Sequence, residues 1–215
     1  IDGRTSVPGL YAAGRAKSID PGVYIGGFSL STTATTGYLA GQAVAEYLGE
    51  FSQKESFIPQ EQIEAYKREL YQPATNGGIT PKEVLRKIQE LVFPYDVCIL
   101  KTKEGLQKAL RQLEGIKQDL MDHMGAPDPH YLMKLHEVQG TAFMTELYLR
   151  ASLAREESRA GHYREDFPKR SPDGLYWLNF VKDANNQIEM KKVPVPIEKY
   201  KYPIERYYYD NFNFS

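Results

Sequence analysis

Apolar positions recur along this chain with more than one period, and each change of period marks a new element. The run Gly9-Leu10-Tyr11-Ala12-Ala13-Gly14 follows Pro8 and closes on glycine. It is too short for a helix and reads as a buried strand ending in a turn. Residues 28–48 are small, apolar or hydroxylated almost throughout, so a helix is predicted from near Ser29, lying deep in a core. Gly26 and Gly27 stand just ahead of it. The first-turn N–H groups of that helix would point at whatever lies beside the two glycines, which suits an acceptor or a negative charge.

Beyond residue 50 the pattern becomes that of separate amphipathic helices. Residues 51–59 are rich in Ser, Gln, Lys and Glu and read as a linker closed by Pro59. Ile63, Tyr66 and Leu70 mark one face of a short helix stopped by Pro73 and Asn76-Gly77-Gly78. Thr80-Pro81-Lys82-Glu83 is a helix start, with Thr80 as N-cap, Pro81 in the first position and Glu83 reaching back. Leu85, Ile88 and Val92 are expected to face inward, and Pro94 to stop that helix. A second helix over 103–124 carries Leu106, Leu110, Leu113, Ile116 and Leu120. A third starts at Asp128-Pro129 and runs to about Glu157 on Leu132, Leu135, Val138, Ala142, Leu149 and Leu153. Three such stripes with short joints predict a three-helix bundle. Tyr176–Lys182 and 188–193 are β-prone and flank Asp183-Ala184-Asn185-Asn186, a hairpin turn. The Tyr-rich tail over 200–214 is expected to lie along the surface of its own chain or of a neighbour. The chain is therefore α+β, mainly α, divided at 1–50, 51–79, 80–168 and 169–215.

Composition narrows the function classes. Of 215 residues, 27 are Lys or Arg and 28 Asp or Glu, a net charge of −1, which gives no global basic excess for nucleic acid. Residues 28–48 hold too many Ser, Thr and Gly for a membrane span. Cys98 is the only cysteine; it excludes an internal disulfide and suits a reducing, cytoplasmic setting. His123, His130 and His136 have no metal-ligand spacing.

Several stretches carry a family resemblance. Pro8-Gly9-Leu10-Tyr11-Ala12-Ala13-Gly14, Gly26-Gly27-x-Ser29-Leu30 and Gly37-x-x-Ala40-Gly41 resemble the last segment of the FAD-binding domain in the succinate dehydrogenase/fumarate reductase flavoprotein family. Thr80-Pro81 with Val84-Leu85, Asp128-Pro129-His130, Glu157-Ser158-Arg159 and His162-Tyr163-Arg164-Glu165-Asp166-Phe167-Pro168 resemble its helical C-terminal domain. The resemblance implies a remnant of a Rossmann-like FAD-binding domain over 1–50, then the helical bundle, the hairpin and an extended tail. It implies FAD as cofactor, with Gly26, Gly27, Ser29 and Leu30 against the N1/O2 edge of the isoalloxazine. Arg15 stands where the family usually has an acidic residue on the ribityl chain, and is either a cation near the flavin or pyrophosphate or a surface cation. Tyr24 stands where succinate and fumarate enzymes have an arginine for the dicarboxylate, which argues against those substrates.

The phosphate-binding Gly-x-Gly-x-x-Gly turn is not found, since the glycines of Gly22-Val23-Tyr24-Ile25-Gly26-Gly27 fall at other intervals. With Ile1 in place of an initiator methionine, the chain is expected to be the C-terminal part of a longer FAD-dependent oxidoreductase. Its expected partners are the FAD-binding and capping domains and an electron-transfer subunit. The isolated piece is expected to be inactive, to lose FAD, and to expose an apolar patch that favours disorder or homo-oligomers. The alternative is a non-catalytic helical docking module for a partner subunit. The dense polar cluster from Glu157 to Asp166 reads as a charge-paired seam locking the helical domain onto the flavin domain; the alternatives are His162, flanked by Arg159 and Arg164, as a site acid, or a docking patch for an electron-transfer partner.

Overall fold

The computed structural model describes residues 2–17, 25–50, 58–74, 77–183, 185 and 187–199. Helices dominate: α1 (Phe28–Glu50), α2 (Gln60–Tyr71), α3 (Pro81–Val92), a single turn α4 (Tyr95–Cys98), α5 (Lys103–Asp119) and α6 (Pro129–Ala154). One antiparallel hairpin follows, β1 (Tyr176–Lys182) with β2 (Ile188–Pro194), in a register that pairs Tyr176 with Pro194 and Lys182 with Ile188. Its turn is held by Asp183, whose Oδ1 accepts from the backbone N–H of Asn185 and of Gln187. The Tyr24 substitution and the Tyr-rich tail lie outside the described residues.

Helices α3, α5 and α6 form the predicted bundle around Val84, Ile88, Leu91, Leu106, Leu113, Leu135 and Leu149, all buried. The inward stripe of α3 is shifted by one residue from expectation, for Val84, Ile88 and Leu91 are buried while Leu85 and Val92 flank them. The capping box at Thr80 and Glu83 closes in both directions. Helix α5 ends at Asp119 and tightens into a 3-10 turn, Met121–His123, short of the predicted 103–124. Thr102 and Asp128 cap α5 and α6 by accepting from Gly105 N–H and Tyr131 N–H. The hairpin is tied to the C-terminal end of α6 by Arg150 and Arg155, which bond Ile188 O and Tyr176 O and stack over Phe180 and Tyr176.

The N-terminal unit departs from its sequence reading. The apolar run at Gly9 makes no strand among the described residues. It is a folded-back loop with a single bridge between Arg4 and Tyr11, and Leu10 is exposed. A buried strand needs ladder partners on both sides, and the described residues of 2–50 supply only this one bridge. Helix α1 likewise is not deep in a core. Only Ala40 and Ala43 are buried on it, while Leu30 is 80% exposed and Tyr38 68%. This is the open apolar surface expected of the segment.

Candidate functional site

Helix α1 begins at Phe28, straight after Gly27, whose φ of +76° is the left-handed conformation that glycine adopts without a Cβ penalty. Phe28 N–H donates to Ile25 O and Ser31 N–H to Gly27 O. The backbone N–H groups of Ser29 and Leu30, between them, have no hydrogen-bond partner among the described residues. Ser29 is not the N-cap; it already sits inside the first turn, and the hydroxyl that bonds the helix start is that of Ser31, donating to the carbonyls of Gly27 and Phe28. A Cβ placed on Gly26 or Gly27 would meet nothing within 4 Å. Two amides without described partners, beside two glycines with open space at Cβ, are the groups this helix start could offer to an electron-rich atom.

Arg15 lies in the 3-10 turn Gly14–Lys17, which is fixed to the N-terminal half of α1. Gly14 N–H donates to Thr36 Oγ1 at 2.8 Å, and a Cβ on Gly14 would stand 3.3 Å from Thr33 Oγ1, one helical turn beyond Ser29. Gly26, Gly27, Ser29 and Leu30 thus stand at the start of α1, while Arg15 belongs to a turn held one to two helical turns further along it; the side chains of Arg15, Ser29 and Leu30 are exposed.

The polar cluster is bonded closely within the helical domain. Arg164 is completely buried. Its Nη1 donates to the carbonyls of Ser152 and Leu153 at the end of α6, at 2.8 and 3.1 Å. Its Nε and Nη2 grip both oxygens of Asp166 at 2.8 and 2.7 Å. Asp166 in turn accepts from Lys103 N–H, the first residue of α5. Glu157, also buried, accepts from Arg155 at 2.6 Å, twice from Arg159, and from Ser171 N–H. Burial alone would raise the Glu157 carboxyl, but the bonds from Arg159, Ser171 and Arg155 outweigh it and hold it below the usual carboxylate range. The bidentate bond from Arg164 does the same for Asp166. His162 hydrogen-bonds Arg155 O through Nε2, which therefore carries the proton; burial and the cations Lys101, Arg155 and Arg164 push its pKa down. The partners named here all lie between residues 101 and 171, so these bonds tie the helical domain to itself. Sequence reading found the cluster but missed Arg155 and Lys101, which stand outside its motif.

Among the described residues no group of histidine, cysteine or acidic side chains could hold a metal ion, and no helix is long and apolar enough to cross a membrane. Comparison with known families decides the kinship: residues 86–209, more than half of the chain, match the family described as fumarate reductase flavoprotein C-term. The chain belongs to this family. Similar proteins include a subunit of the fumarate reductase (CoM/CoB) of Methanothermobacter marburgensis, 28% identical over 176 residues, covering 80% of this chain and 31% of that protein. A fumarate reductase flavoprotein subunit of Mycobacterium tuberculosis is 27% identical over 93% of this chain and 36% of its own length. An L-aspartate oxidase of Caulobacter vibrioides is 29% identical over 81% and 28%. Among solved structures, an E. coli quinol fumarate reductase superposes with TM-score 0.69 at 19% identity over 81% of this chain and 31% of that one, a likeness of fold. The chain thus spans about a third of the length of the curated relatives it matches. The fumarate reductase flavoprotein family accounts for the mainly helical fold with its small hairpin.

Proposed function

We propose that this chain is the C-terminal portion of an FAD-dependent oxidoreductase, and that the start of α1 faces the flavin. The observation that carries this reading is the pair of amides at Ser29 and Leu30, without described partners and beside Gly26 and Gly27, in a chain of a flavoprotein family. FAD, when bound, accepts an electron pair from substrate and passes it on. The chain's own part is electrostatic. The Ser29 and Leu30 amides and the positive end of α1 stabilise negative charge on the ring edge they face, without reorganising. Arg15, exposed in the turn held against the N-terminal half of α1, adds a cation on this part of the chain. Relatives named as subunits of reductases support three partners: the FAD-binding domain, the capping domain and a subunit for electron transfer. Tyr24 in place of a carboxylate-binding arginine supports a substrate other than succinate or fumarate. The lone cysteine suits a reducing, cytoplasmic setting.

A second reading, a docking module without chemistry of its own, is favoured by the exposed apolar face of α1. Purification of the complete parent polypeptide separates the two. The flavoprotein reading expects a yellow protein with flavin absorption, and a weaker flavin complement in Ser29→Pro, which removes one of the two amides. A parent that purifies colourless and takes up no added FAD overturns it. The 215-residue chain by itself is expected to retain little FAD, because it lacks a phosphate-binding turn.

A further inference from the structure

A cavity of about 320 Å³ lies between the first turns of α3 and α6. Its apolar lining comes from Pro81, Leu85, Tyr131 and Val138, of which Pro81 and Val138 are buried and Leu85 half-buried. Its charged lining is small. Lys134 and Glu137 cancel each other, since Lys134 Nζ donates to Glu137 at 2.7 Å. Lys82 is not cancelled, for its ammonium has no hydrogen bond or ion pair with any described residue. His130 likewise bonds no described residue through its ring nitrogens; its ring meets that of Tyr131 edge-on, with centroids 5.8 Å apart.

The two helix starts have already spent their own donors here. Thr80 and Glu83 close the first turn of α3 reciprocally, Pro81 has no N–H, and Tyr131 N–H donates to Asp128. An acceptor that enters the cavity is therefore met by side chains, one ammonium and one imidazole N–H, against an apolar wall. A mainly apolar hollow with a few polar groups is the make-up of a small-molecule site. At the ~30 Å³ that a water molecule occupies in the liquid, it has room for roughly ten heavy atoms. Its fixed charge selects among anions. With Lys134 and Glu137 cancelled, Lys82 leaves a single positive charge, which a monoanion matches and a dianionic phosphate would overrun beside Glu137.

We propose that this cavity binds a small monocarboxylate with an apolar body, its carboxylate on Lys82 and His130 and its body against Leu85, Tyr131 and Val138. Such a ligand touches the opening turns of two helices at once, so it favours the folded bundle over the unfolded chain.

Titration of the 215-residue chain with octanoate, a monocarboxylate of the right size, tests this by NMR. The expected result is a set of saturable shifts at Lys82, Leu85, His130 and Thr141, with a Kd of about 1 mM or tighter, and a thermal midpoint that rises with octanoate. Octanol, the same body without the charge, is expected to bind at least about fivefold more weakly, and acetate, the charge without the body, not to saturate. Three exposed positions supply variants that leave the core in place. Lys82→Met is expected to weaken octanoate about fivefold, and Thr141→Trp, which sets an indole on the cavity wall, to abolish it. Arg86→Met is the charge control, since Arg86 pairs with Glu90 and does not line the cavity; it is expected to bind as the native chain does. The proposal is overturned if the shifts do not saturate by about 20 mM, or if octanol binds as tightly as octanoate. It is also overturned if Lys82→Met or Thr141→Trp keeps native affinity, if Arg86→Met weakens binding as much as Lys82→Met, or if the shifts are confined to the exposed side chains of α1.

Discussion

Glu157 carries more of the architecture than any other carboxylate among the described residues, since two arginines and the Ser171 amide converge on it. Replacement by Gln keeps the volume and removes the charge. We expect Glu157→Gln to lower unfolding free energy by about 2–3 kcal/mol in urea titrations at pH 7, somewhat under the cost of breaking a fully buried pair because Arg155 and Arg159 reach solvent in part. The same site forbids a methyl group nearby: a Cβ on Gly174 would collide with the Glu157 carboxylate. His162 gives a second test. Its folded pKa is depressed, so the unfolded chain binds more protons, and stability falls as pH drops below the unfolded value of about 6.5. Glu157 and Asp166 act in the same direction, but only at lower pH, as each is protonated on falling through its own depressed value. Urea midpoints measured from about pH 7.5 to about pH 5.5, a window that brackets the unfolded histidine, should therefore decline in the native chain and flatten in His162→Gln, which keeps a donor for Arg155 O.

Helix ends show what sequence makes legible. Thr80, Pro81 and Glu83 announce the start of α3 within four residues, and the capping box forms as read; Thr80→Ala should cost about 1 kcal/mol. The finish of α6 is written in no such local code. Its terminal carbonyls are bonded by Arg164, eleven and twelve residues downstream of Leu153 and Ser152, a distance over which no helix-stop rule operates. Arg164→Met should therefore cost about 3 kcal/mol, more than the Thr80 cap, and hydrogen exchange should accelerate in the last turn of α6 and the first turn of α5 together. The one-residue shift in the stripe of α3 has a similar origin. Val84 and Leu85 are equally apolar, and only the positions of α5 and α6 decide which of them is enclosed.

For the chain as a whole, the helical domain reads clearly because its core is closed by its own residues, whereas the depth of the first fifty residues does not follow from their composition. Their apolar content signals burial, but the surface that would bury Leu30, Tyr38 and Leu48 is not among the described residues. The pair Gly26 and Gly27 is legible in the same stretch because paired glycines ahead of a helix need no distant partner to be recognised. Sedimentation of the isolated chain should reveal concentration-dependent association, reduced in the double variant Tyr38→Glu, Leu48→Glu; a monomer at all concentrations would count against that surface as an adhesive one. A last consequence follows from the bond between Arg164 and Asp166. One guanidinium touches the closing carbonyls of α6 and, through its carboxylate, the opening amide of α5. The two rods are thereby spliced at their tips, and any molecule that grips the loop over 160–167 swings both as one lever.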